Sequence, residues 1–255
     1  MDVSLFEKSK DGLTAKLLIR GTTPAFVNAL RRAILEEVPT FAIEDVEFRK
    51  NNSILYDEII AHRLGLIPLK TDLKGYRMLK PGEEPGKAHQ VTFSLKTTKQ
   101  GNVVAGDMDS TDKSVVPVYP DMVITKLLKG QNIEFEAVAV LGKGKGHSKW
   151  CPAHVYYYNE PKITVTNDPK LLEETRSKYP PQIFDASGKI DKALISTPQL
   201  IDACEGVSKL VEIERKDDSF VFVVESWGQL TPKQILVEAV EQLDAQFEDV
   251  AGLMK

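Results

Sequence analysis

His147, Cys151 and His154 carry metal-ligating side chains, with three and two residues between them. A structural zinc site needs four ligands, and a catalytic one needs three plus a positioned acid or base. No fourth ligand lies nearby, so the group reads as a chance cluster, with a metal-dependent enzyme as the alternative. Glu58 and His62 stand four apart, beside Asp57 and Arg63, on what reads as one short helix. That spacing allows an acid–base pair, and a helix-surface ion pair fits it equally. The stretch Gly142 to Lys149 (GKGKGHSK) invites a phosphate-loop reading but fails it, because His147 follows Gly146 where the Walker pattern requires lysine. It reads as a solvated basic loop, or as one that meets an acidic partner or nucleic acid. There is no G-x-S-x-G elbow, and neither Cys151 nor Cys204 sits in an activated setting. No active site is visible.

Composition narrows the classes further. The 255 residues are 42% hydrophobic and 27% charged, enough to bury a sizeable core. Lys plus Arg number 33 against 37 Asp plus Glu, a net charge of −4. A freestanding nucleic-acid binder usually shows a basic excess, because phosphate neutralisation supplies most of its affinity. Two cysteines exclude a multi-bridge secreted scaffold and any four-cysteine iron–sulfur cluster. Met1 to Leu5 lack the pattern of a signal peptide, and no apolar run approaches a membrane span. A soluble cytoplasmic protein is expected.

The elements that must position these residues follow from periodicity. Leu13 to Arg20 alternates as a half-buried strand. Thr23 then caps a helix that has Pro24 at its first position and runs to about Val38, before Pro39. On a helical wheel Phe26, Val27, Ala29, Leu30, Ala33 and Ile34 fill an arc of roughly 160°. Leu35 falls among Asn28, Arg31 and Arg32 on the polar side. It is either a singly exposed leucine or part of a second contact surface. Ala42 to Phe48 reads as a strand. From about Asn51 to Val165 the chain mixes short strands (Val91–Leu95, Ile133–Val140, Val155–Tyr158) with Gly/Pro punctuation and a helix over Asp57 to Leu66. That is the pattern of an inserted β-rich domain.

From Thr166 to Glu205 two short helices are expected, over Leu171 to Lys178 and Gln199 to Cys204. Val207 to Arg215 and Phe220 to Glu225 read as a hairpin turning at Lys216 to Ser219. The last helix has Thr231 as cap, Pro232 at its first position and Gln234 closing a capping box. Leu236, Val240, Leu243, Phe247, Val250 and Met254 follow at spacings of 4, 3, 4, 3 and 4, the seam that packed helices use. This seam lies on the first helix, on another chain, or on both.

Three segments together resemble one family: Asn28–Leu35 (NALRRAIL), Leu55–Leu69 (LYDEIIAHRLGLIPL) and Gly146–Ala153 (GHSKWCPA). Val224–Pro232 (VESWGQLTP) agrees with them. The resemblance is to the D-subunit family of archaeal DNA-directed RNA polymerase, counterpart of the bacterial alpha N-terminal domain and of the third subunit of eukaryotic RNA polymerase II. It implies an α+β fold: a discontinuous alpha-subunit-like dimerisation domain (1–48 and 206–255), an inserted β-rich domain (49–165) and a small ferredoxin-like insertion (166–205). Only Cys204 remains in that insertion, so no iron–sulfur cluster and no other cofactor is expected. Leu171, Leu172, Ile183, Phe184, Leu194, Ile195, Leu200 and Ile201 would form its core instead, and descent to a redox sensor is the weak alternative.

The resemblance further implies a non-catalytic assembly subunit that pairs with subunit L. With the small subunits N and P it would form the platform for the large catalytic subunits. Phe26, Leu30, Ile34, Leu236, Val240, Leu243, Phe247 and Val250 would meet subunit L. Asn28, Arg31, Arg32 and Leu35 would meet the large subunit. Asp57, Glu58, His62 and Arg63 become structural or interface residues.

Overall fold

The chain begins with a strand that periodicity does not announce. In the computed structural model, which describes residues 1–80 and 82–254, β1 (Asp2–Lys8) precedes β2 (Thr14–Arg20). Every residue of β1 is exposed, so no buried face imposes alternation on it. Helix α1 (Pro24–Glu36) starts at Pro24 as the cap pattern predicts and stops two residues short of Val38. Pro39 opens β3 (Pro39–Asn51), which pairs antiparallel with β8 (Ile133–Lys143) from Pro39↔Lys143 to Asn51↔Ile133.

Around β8 a sheet of order β3-β8-β4-β6 forms, with β4 (Gln90–Thr97) and β6 (Asp109–Ser110). A two-stranded sheet, β5 (Gly101–Val104) with β7 (Val123–Leu127), completes the inserted region. Alternate residues of β8, from Ile133 through Phe135, Ala137 and Ala139 to Leu141, enter one core. Helix α2 (Asp57–Gly65) supplies Ile60 and Leu64 to it, beside Phe41 and Phe93.

A second four-stranded sheet has the order β1-β2-β10-β9, with β9 (Ala153–Val165) and β10 (Val211–Ser226). The hairpin expected at Lys216–Ser219 is not there: β10 runs through it as one 16-residue strand. The polar run is instead held extended, with Asn159 Nδ2 donating to Lys216 O at 2.7 Å and Lys216 Nζ meeting Glu160 at 2.8 Å.

Between β9 and β10 lie α3 (Pro169–Thr175) and α4 (Pro198–Cys204), capped by Asp168 and Thr197, with 3₁₀ turns between them. Ile183, Ile195 and Ile201 are buried as expected, whereas Leu171, Leu172, Phe184 and Leu200 are partly buried. Leu194 is 38% exposed, a departure from the expected core. It sits on a one-turn 3₁₀ helix with no buried residue, and Tyr179, Ile190 and Cys204 fill the interior.

The chain divides into two compact units, Met1–Ser4, Leu18–Pro24 and Tyr157–Val221 in one, and Leu5–Leu17, Ala25–Tyr156 and Phe222–Lys255 in the other. The expected boundary at 165/166 falls inside the first unit. Nearly all of α1, and all of the last helix, α5 (Pro232–Leu253), belong to the second unit with the inserted sheet. No helix among the described residues is long and apolar enough to cross a membrane.

Candidate functional site

Helix α5 is built as its sequence prescribes. Thr231 Oγ1 accepts from Gln234 N, Gln234 Oε1 accepts from Thr231 N at 3.0 Å, and Pro232 needs no partner for its missing N–H. Ile235 and Ala239 are fully buried, whereas Leu236 and Leu243 are half-buried. The helix therefore carries two apolar stripes. The inner one anchors it, and the outer one, Val240, Phe247, Val250 and Met254, lies open. From Asp244 to Met254 every residue is exposed, with Phe247 at 71% and Met254 at 83%. Burying one such side chain contributes about 1.5–3 kcal/mol.

The first helix behaves differently. Val27, Leu30, Ala33 and Ile34 are buried, while Ala29 and Phe26, the latter 44% exposed, remain open. Leu30 and Ile34 are thus corrected: their side chains are spent inside this chain and offer a partner no surface. Ala29, Arg32, Ala33 and Glu36 of α1 and Leu243 and Gln246 of α5 line one cleft of about 300 Å³. Arg32 and Leu243, expected on separate faces, share this cleft. Arg32 forks onto Glu36 at 3.1 and 3.2 Å, which holds the Glu36 carboxyl below its ordinary value. Arg31 donates to Asn28 Oδ1 at 3.0 and 3.1 Å. Leu35 is half-buried, so neither the exposed-leucine reading nor a wholly open contact face describes it.

Beside it lies the Gly142–Lys149 segment, whose first residues pack against the end of α1 and against Trp150 while Lys145 to Ser148 are exposed. Lys145 N donates to Glu36 O at 3.0 Å, closing the C-terminal end of α1. A Cβ on Gly144 would lie 1.9 Å from Leu35 O, and one on Gly142 would lie 2.3 Å from Trp150 Cε2. Lys143 Nζ reaches Glu37, just past α1, at 3.0 Å and Gln242, midway along α5, at 2.8 Å, tying both helices to the end of β8. Lys149 Nζ pairs with Glu44 and donates to Ile43 O at 3.0 Å. Periodicity misses this tether, and it misses Ile235. The only signal for Ile235 is the run 235, 239, 243 beside the stronger seam.

The remaining candidates are occupied locally. His147 Nδ1 caps the turn Ser148–Trp150 by accepting from Lys149 N at 3.0 Å. Cys151 Sγ donates to Ala153 O at 3.2 Å, and burial pushes its thiol pKa up. Among the described residues no three His, Cys, Asp or Glu side chains are arranged to hold a metal. Asp57 Oδ1 accepts from Asn51 Nδ2 at 2.7 Å and Arg63 donates to Val123 O, while Glu58 and His62 are exposed. The open helix face is what the geometry offers for function.

Residues 46–152 match the model of the RNA polymerase Rpb3/RpoA insert domain. The chain therefore carries the inserted module of alpha-type polymerase subunits. It is 36% identical over 247 residues to DNA-directed RNA polymerase subunit Rpo3 of Pyrococcus horikoshii, covering 94% of this chain and 93% of the relative. Identity to the same subunit of Thermococcus kodakarensis is 37% over 249 residues (95% and 93%), and of Pyrobaculum calidifontis 35% over 253 residues (97% and 94%). The chain belongs to the Rpo3 family of archaeal DNA-directed RNA polymerase subunits and serves transcription as a member of that complex.

Proposed function

We propose that this chain is a non-catalytic assembly subunit that heterodimerises with subunit L. The pair, with the small subunits N and P, forms the platform on which the large catalytic subunits assemble. The observation that carries the reading is the outer stripe of α5, apolar and wholly exposed over its last three turns or so. A free chain would not keep so much apolar surface in water without a partner to cover it. Val240, Phe247 and Val250 are the core of that contact, Phe26 and the half-buried Leu236 and Leu243 its edge. Arg32, in the cleft beside Leu243, meets the large subunit together with Asn28, Arg31 and Leu35 of α1.

Co-expression with subunit L tests this. Phe247→Asp leaves the isolated chain folded, because the side chain is already exposed, yet abolishes co-purification with subunit L. Wild-type chain that stays monomeric beside subunit L refutes the proposal.

We propose also that the segment 166–205 occupies the place of the family's ferredoxin-like insertion without its cluster. Its stabiliser is the apolar core around Ile183, Ile195, Ile201 and Cys204. Anaerobically purified protein with an iron–sulfur absorption band at about 400 nm would contradict this.

A further inference from the structure

Three of the four segments that carry the family resemblance lie far apart in the chain and meet at one cleft of about 260 Å³. Leu66 comes from LYDEIIAHRLGLIPL, Lys149 from GHSKWCPA, and Trp227 and Gln229 from VESWGQLTP, while Tyr119 and Met122 add to the lining. The proposed contacts of α1 and α5 use none of these residues. Main-chain hydrogen bonds fasten the segments to one another: Trp227 N donates to Pro152 O at 3.1 Å, Val118 N to Pro68 O at 2.9 Å and Thr71 N to Gln229 O at 3.0 Å. Gly228 permits the turn between Trp227 and Gln229, for its φ is 94° and an added Cβ would lie 2.5 Å from Val118 Cγ1. A cleft fixed in this way spares its occupant the cost of ordering it.

Leu66, Tyr119, Met122 and Trp227 are exposed. Gln229 is only 5% exposed, and its Oε1 is buried without a hydrogen-bond partner. A buried acceptor left unpaired is unfavourable, and an N–H brought from outside would satisfy it. Lys149 is the one charged side chain of the lining among the described residues, and its Nζ is engaged by Glu44 and by Ile43 O. No free charge remains there for a phosphate or a nucleic-acid backbone. The apolar surface also continues past the cleft. Ile59 precedes Leu66, the C-cap of α2, by two turns on the same face, and Val123, whose carbonyl accepts from Arg63, is exposed as well.

We propose that this cleft receives a neutral, extended segment of another protein chain of the polymerase. The segment seats an apolar side chain against Trp227, Met122 and Leu66 and donates a main-chain N–H to Gln229 Oε1. The volume is below the roughly 300–1,000 Å³ that small ligands fill, and the surrounding apolar surface calls for a larger partner. A helix spends its N–H groups internally, whereas an extended segment keeps them free for Gln229. A half-exposed tryptophan is the kind of side chain on which such contacts concentrate their affinity.

The test uses the whole polymerase, isolated with p-benzoylphenylalanine in place of the exposed Tyr119, irradiated, and its cross-links located by mass spectrometry. The probe should link to one uncharged, apolar, non-helical segment of another subunit. Gln229→Leu, combined with the probe, removes the acceptor and should lower the cross-link yield about fivefold, the worth of one hydrogen bond. The urea midpoint of the isolated chain should stay at or above that of wild type, because Oε1 has no bond to lose. Met122→Lys brings a charge into the neutral cleft and should lower the yield as much, with an unchanged midpoint because Met122 is already exposed. A probe that links only to this chain, to a helix or to nucleic acid overturns the proposal. So does a yield that neither variant lowers. Should Gln229→Leu lower the midpoint, Gln229 is a structural residue and its part in the proposal falls, and Met122→Lys alone then decides whether the cleft is occupied.

Discussion

Replacing Gly144 with alanine tests whether the segment after β8 sets the geometry of the open helix face. The added Cβ would lie 1.9 Å from Leu35 O and 3.0 Å from Leu35 C. Ordinary carbon–oxygen contact begins at roughly 3.3 Å, so the two backbones must separate by more than an ångström. Both offending atoms belong to main chain at the end of α1, and no rotamer change can move them aside. Overpacking of this kind costs about 1–3 kcal/mol. Breaking the bond from Lys145 N to Glu36 O adds about 1 kcal/mol. The stiffer unfolded chain returns about 0.4–1 kcal/mol, which leaves a net loss of about 1–3.5 kcal/mol.

Urea unfolding followed by tryptophan fluorescence reads this directly, because Trp150 and Trp227 both lie in the unit that holds Gly144. At roughly 2–4 °C per kcal/mol, the melting temperature should fall by about 2–14 °C. Gly252→Ala is the control: nothing lies within 4 Å of its added carbon, and it should leave stability unchanged or raise it slightly. An unfolding midpoint for Gly144→Ala equal to that of wild type would refute the packed segment and restore a free loop. The shift has a functional corollary. Lys143, one residue away, ties Glu37 to Gln242 of α5, so the variant should also pair more weakly with subunit L.

Other expectations are separable from this one. Thr231→Ala removes the cap of α5 and should lower stability by about 1 kcal/mol, read as a shift of the urea midpoint with unchanged slope. The Arg20 guanidinium, aided by Lys216, holds the Glu160 carboxyl at about 2, well below its ordinary 4.5. A carboxylate with a depressed pKa stabilises the fold fully above the ordinary value and loses that contribution as pH falls towards 2. Glu160→Gln should therefore cost about 1–2 kcal/mol at neutral pH and flatten the decline of stability between pH 4.5 and 2, followed by far-UV circular dichroism.

Structure could be read from the sequence wherever its determinants lie within a few residues of one another. Thr231, Pro232 and Gln234 started α5, Thr197 and Pro198 started α4, and alternation over Ile133–Val140 marked β8, because caps and periodicities are local interactions. The DEIIAHRLGLIPL run and the NALRR motif carried the family for the same reason: they are contiguous. The uninterrupted course of β10 was not legible, since a polar run reads as a turn until Asn159 and Glu160 on another strand hold it extended.

The amino-acid order alone determined that α5 begins at Pro232 and bears more apolar surface than one face requires. Only the tertiary structure decided which stripe turns inward. Ile235 and Ala239 were taken by the core and Phe247 and Val250 were left out, because the choice depends on what lies across from the helix. The same holds for Gly144 and Leu35, which are remote in the chain and adjacent in space. No window of sequence contains both sides of that contact, and so none could show that the basic loop is a brace between two helices.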